Sequence, residues 1–163
     1  MKTQYWAMMT QKKYHLFYLG YHLNLYVKID RWMNIILAVI STGSLVGLFT
    51  SDTYQKLLAV ILALTQVVTA ASPYLPFEKR IKELDKGIAL LTQAYTAIEK
   101  DWNTINIEDS NDAEINEKLY EHVRKWEDID GEILKRDSLP FVEKFYNKAA
   151  DDNERYFNNR FGG

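Results

Sequence analysis

The only imidazoles in the sequence are His15, His22 and His122. His15 and His22 stand seven residues apart and would share a helix face, but two histidines alone make a poor metal site. His122 lies beside Val123 in an apolar repeat, which fits a packing residue better than a general base. Glu127, Asp128, Asp130 and Glu132 form a carboxylate cluster that a charged, exposed helix face explains. The chain has no cysteine, which excludes disulfides, thiolate metal sites and cysteine nucleophiles. It contains no HExxH, GxSxG, GxxxxGKS/T or GxGxxG pattern. Nor does an arginine precede a histidine at the short spacing of helical ribonucleases of the HEPN kind. No catalytic, cofactor-binding or metal-ligating residue is expected, and no enzyme activity.

The elements around these residues say more. At 163 residues the chain is about one small domain. Its 20 basic and 22 acidic side chains leave a formal charge of −2, which argues against nucleic-acid binding by bulk electrostatics. The average hides a break: residues 1–77 carry 6 basic and 2 acidic groups, residues 78–163 carry 14 and 20. With 7 Gly and 3 Pro the chain is poor in turns, so an all-α fold is expected.

Two uncharged runs flank a short connector. Trp32 to Ser51 is 20 residues long and Leu57 to Phe77 is 21. About 20 helical residues cross the roughly 30 Å hydrocarbon core of a bilayer. A bundle in water could bury two such helices, but it normally shows polar residues every third or fourth position. The runs therefore predict a two-helix transmembrane hairpin over 32–77, between a juxtamembrane helix (1–31) and a cytoplasmic helical domain (78–163). Lys12, Lys13, Lys28 and Arg31 before the first run, and Lys79, Arg80, Lys82 and Lys86 after the second, place both termini in the cytoplasm. The apolar run starts too late and is too long for a cleaved signal peptide.

Within the hairpin, Gly43 and Gly47 would allow close helix packing. Ser41, Thr42, Ser44, Thr65, Gln66 and Thr69 need partners, either across a helix pair or along a pore lumen built from several copies. The leading segment interleaves Tyr5, Trp6, Tyr14, Phe17, Tyr18, Tyr21 and Tyr26 with Lys and His, which suits a membrane–water boundary. Base stacking by the same aromatics lacks the dense basic groove it requires.

The second half is periodic. Ile81, Leu84, Ile88, Leu91, Tyr95, Ile98, Trp102 and Ile105 repeat at alternating intervals of three and four, the signature of a helical seam. Ile115, Leu119, His122, Trp126, Ile129 and Ile133 form a second seam, with Asp112 as its expected N-cap. A third helix should begin near Pro140 and carry Phe141, Phe145, Tyr146 and Tyr156. These seams make either an intramolecular bundle or a coiled coil between copies.

The order of parts resembles the SLATT family of bacterial proteins, which have two membrane helices and a cytoplasmic helical tail. The resemblance rests on Ile29-Asp30-Arg31-Trp32 entering the first run, the Ser41-Thr42-Gly43-Ser44 interruption, the closing Ala70-Ala71-Ser72-Pro73-Tyr74-Leu75-Pro76-Phe77 and Glu99-Lys100-Asp101-Trp102 in the long helix. The layout is also similar to the small membrane accessory proteins of type VI-B CRISPR systems. This resemblance implies an oligomeric inner-membrane effector that permeabilises the membrane in antiphage defence, with lipid, its own copies and a cytoplasmic sensor or nuclease as partners. It offers no active site. The alternative is a non-conducting, membrane-anchored adaptor whose helical tail recruits a partner protein.

Overall fold

A computed structural model describes residues 1–41, 60, 63, 66, 67, 69, 70, 77–108, 110–134 and 139–162. Among these the chain is all-α: helix α1 spans Lys2–Ser41, α2 Phe77–Ile107, α3 Asp112–Leu134 and α4 Glu143–Phe161. The chain divides into two compact units, Met1–Asn24 with Lys82–Gly163, and Leu25–Ile81.

The first unit is a four-helix arrangement whose directions follow from residue registers. Tyr5 meets Ile98 and Lys13 meets Tyr95, so α1 runs antiparallel to α2. Asp101 meets His122 while Gly87 faces Ile133, so α2 and α3 are antiparallel. Trp6 meets Phe157 and Tyr14 meets Tyr146, so α1 and α4 are antiparallel. Tyr5 against His122 and His15 against Asp130 set α1 parallel to α3. Each helix thus reverses on the one before it, the up-and-down order that short connections favour.

The core joins both seams of the second half to a third one on α1. Leu84, Leu91, Tyr95, Ile98 and Ile105 of α2 are buried, as are Ile115, His122, Trp126 and Ile133 of α3. From α1 come Tyr5, Met8, Met9, Leu16, Leu19 and His22, all buried. The aromatics expected at a headgroup boundary therefore include a core residue, Tyr5, while the half-buried Trp6 ring lies 5.1 Å from both Trp102 and Phe157. The expected cap of α3 shifts by one residue, because the Glu114 N–H donates to Asn111 Oδ1 at 2.9 Å. An asparagine at that place satisfies one of the helix's free N–H groups.

The transmembrane hairpin is corrected by the structure. Among the described residues no helix is long and apolar enough to cross a membrane. That overturns the two-span fold, the inner-membrane localisation and the membrane-pore reading built on it. Most of the two uncharged runs lies outside the described residues, which hold Trp32 to Ser41 of the first and only scattered positions of the second. In α1 the uncharged stretch within the described residues is Trp32 to Ser41, ten residues. At 1.5 Å per residue it reaches about 15 Å, half of the roughly 30 Å required. Lys28, Asp30 and Arg31 stop it from extending backwards.

In the second unit, taken by itself, apolar side chains face outward. Trp32, Ile35 and Ile36 share one face of α1 and are exposed, Trp32 by 63%. Val60, Ala63, Gln66, Val67 and Ala70 are helical and exposed as well.

Gly87 marks a close approach of α2 and α3. A Cβ there would overlap the Ile133 side chain. Gly87→Ala gains up to about 1 kcal/mol in helix propensity but should lose about 1–3 kcal/mol net through overpacking. In an Ile133→Ala background the same change should become stabilising. Chemical denaturation of the four proteins checks this, and an equal cost in both backgrounds would contradict the close approach.

Candidate functional site

Of the residues singled out in the uncharged runs, the structure describes Ser41, Gln66 and Thr69. Thr42, Gly43, Ser44, Gly47 and Thr65 lie outside the described residues. Ser41 ends α1, and Gln66 and Thr69 are helical and exposed. Of the first seam, Leu84, Leu91, Tyr95 and Ile98 are buried and Ile81, Ile88 and Trp102 are half-buried.

The histidines act as ties between helices. His122 Nε2 donates to Asp101 Oδ2 at 2.8 Å, and Lys118 Nζ donates to Asp101 Oδ1 at 3.2 Å. A carboxylate only accepts, so the Nε2 nitrogen carries the proton. Burial raises the Asp101 pKa, but the two donors outweigh it and hold the group below its usual value. His15 Nε2 lies 3.0 Å from Asp130 and joins α1 to α3. His22 is buried edge-on against Tyr18 and Phe145, with ring centroids at 4.7 and 5.1 Å, and burial pushes its pKa down. Among the described residues no three His, Asp or Glu side chains gather as a metal site.

Lys13 is enclosed by aromatics. Its Nζ lies 3.9 Å from the Tyr156 ring centroid, 4.6 Å from Tyr95 and 5.5 Å from Phe17. Burial lowers its pKa, and the Glu99 carboxylate works in the opposite sense. Tyr156 donates its hydroxyl to Glu99, and burial with that carboxylate pushes the phenol up to about 12. Lys12 lies 5.2 Å over Trp126 in the same manner. Both lysines, expected to reach for headgroups, are spent on ring faces inside the four-helix unit. Such contacts strengthen as the cation is desolvated.

A groove of about 750 Å³ lies between α1 and α4. Trp6, Ala7 and Tyr14 form one wall, and Tyr146, Ala150 and Phe157 the other. Asn153 also lines it, is 8% exposed, and has an Oδ1 with no hydrogen-bond partner. An unsatisfied buried polar atom costs about 1–3 kcal/mol. Sequence reasoning missed this groove because it assigned the two walls to different domains. The signal was available: Tyr5, Met8/Met9, Leu16, Leu19 and His22 follow a helical core spacing.

Compared with family models, curated proteins and solved structures, the chain matches none. The likeness to SLATT proteins thus rests on the short patches quoted above, and the antiphage and CRISPR-linked roles it implied gain no support.

Asp101 supplies a pH test. Its folded pKa is lowered, so the stability it contributes is present above the ordinary carboxylate range and is lost as the pH falls through the lowered value. Asp101→Asn should cost about 1–3 kcal/mol at neutral pH, with the gap to the parent closing in acid. Urea unfolding across a pH series measures it, and a gap independent of pH would contradict the tie.

Proposed function

We propose that the chain is a homo-oligomeric adaptor without chemistry of its own. Its second unit joins copies, and its four-helix unit carries the surface that recruits a partner protein. The observation that carries this is a set of exposed apolar side chains on helical faces of the second unit. The four-helix unit closes a core over Tyr5, Leu91, Ile98 and Trp126. In the second unit Trp32, Ile35, Ile36, Val60 and Val67 are all exposed.

Exposed apolar side chains on adjacent turns of one helix, as Trp32, Ile35 and Ile36 are, mark an interaction surface. A second copy is the occupant that fits. No described residue of the face formed by Val60, Ala63, Gln66, Val67 and Ala70 carries a charge that would select a charged partner. Gln66 both donates and accepts, so its amide can pair with the same amide of another copy across a two-fold axis. A single amide in an apolar seam is a known device for fixing register. The histidine–carboxylate pairs support a role without catalysis, since both serve as interhelical ties.

The mass of the full chain by light scattering tests this. A defined oligomer is expected, and Trp32→Lys with Ile36→Lys should reduce it to monomer with unchanged helix content. A parent that stays monomeric at high micromolar concentration would overturn the proposal.

A further inference from the structure

The groove between α1 and α4 holds a polar group that the fold leaves unsatisfied. Asn153 is 8% exposed, and its buried Oδ1 has no donor among the described residues. Rotation of the amide exchanges its oxygen and nitrogen, so a visitor in the groove can meet either one.

The shape of the groove narrows the class of visitor. It is open to solvent and runs along two antiparallel helices. Its wall on α4 extends from Tyr146 to Asn158, about 18 Å at 1.5 Å per residue, or some three helical turns. A compact small molecule would need a concavity that covers most of its surface. A third helix needs only a trough between two others, into which its ridge of side chains can settle. Charge narrows it further. Glu154 is the one charged side chain among the eleven residues lining the groove, and none is basic. An acidic helix would be repelled and a basic one drawn in.

We propose that this groove binds one amphipathic helix of a partner protein, apolar on the face toward Trp6, Tyr14, Tyr146 and Phe157, basic beside Glu154, and bearing a polar side chain that pairs with Asn153. This names the partner surface of the adaptor and rests on that reading.

The probe is a phage-displayed library of amphipathic helices with apolar residues fixed at i, i+3, i+4 and i+7 and the remaining positions random, selected on the full chain. Enriched peptides are then synthesised with a fluorophore and titrated by anisotropy. Basic peptides should be enriched and should bind saturably. Tyr146→Ala, at a side chain already 49% exposed, should weaken them at least tenfold, roughly the loss of one anchor. Glu154→Lys should reverse the preference between a basic peptide and its acidic counterpart. Asn153→Leu should weaken peptides with a polar residue at the matching position and spare those with leucine there. The assembly variant at Trp32 and Ile36 should bind as the parent does, so a failure of oligomerisation and a failure of the groove are told apart. Three outcomes overturn the proposal: no enriched helix, enriched helices indifferent to Tyr146 and Glu154, or a fall in the mass of the free chain caused by Tyr146→Ala, which would give the groove to a second copy.

Discussion

Tyr5 couples three helices at one point. Its ring is fully buried, stacks on Trp102 of α2 with centroids 6.0 Å apart, and meets the edge of His122 on α3. Its hydroxyl donates to the Ile98 carbonyl at 3.1 Å. A buried phenol is tolerated only when its O–H finds an acceptor, and a helix carbonyl has a second lone pair to offer. Burial and the nearby Asp101 carboxylate raise its pKa, which keeps it neutral and donating. Asp101 in turn holds His122 and Lys118. Contacts at the start of α1 thus set how α2 and α3 face each other, and the rest of the four-helix unit is built on that junction.

The same helix resolves its charges within the unit. Lys12 and Lys13 are neighbours in sequence and so point to different sides of α1, one over Trp126 of α3, the other among Tyr95 and Tyr156. Tyr21 donates to Asp152 of α4, and burial with that carboxylate lifts its pKa to about 12. Tyr18 holds the approach to α4, donating to the Pro140 carbonyl at 3.3 Å and accepting from the Val142 N–H at 3.4 Å. An aromatic and basic composition that looks interfacial is therefore accounted for by ring faces, phenols and carboxylates on three partner helices.

Much of the second half was legible. Alternating steps of three and four from Leu84 to Ile105 and from Ile115 to Ile133 mark the faces that are buried. What those faces meet was not legible, because periodicity locates a face without naming its partner. In α1 the core positions are interleaved with Trp, Tyr, Lys and His, which blurs the contrast between apolar and polar sides. Local composition therefore outweighs spacing, and residues 1–31 read as a membrane boundary. The uncharged runs mislead in another way, since freedom from charge does not fix how long a helix runs: α1 carries only ten such residues, Trp32 to Ser41, among those described. Gly87 and Asn153 depend on what lies across a helix interface, and no local pattern announces them. Asn111 differs: its place one residue before Asp112 was readable, and only competition between two good capping residues obscured it.

Joining the start of α1 to α2, α3 and α4 also creates the groove, since Trp6 and Tyr14 form one wall and Tyr146 and Phe157 the other. The recruiting surface and the fold therefore depend on the same contacts. Hydrogen–deuterium exchange of the intact chain tests this most directly. Amides of residues 5–22 should exchange as slowly as those of the α2 core, 84–105, and open with them as one cooperative unit. If residues 5–22 exchange early while α2 and α3 stay protected, α1 is not a member of the four-helix core and the account fails.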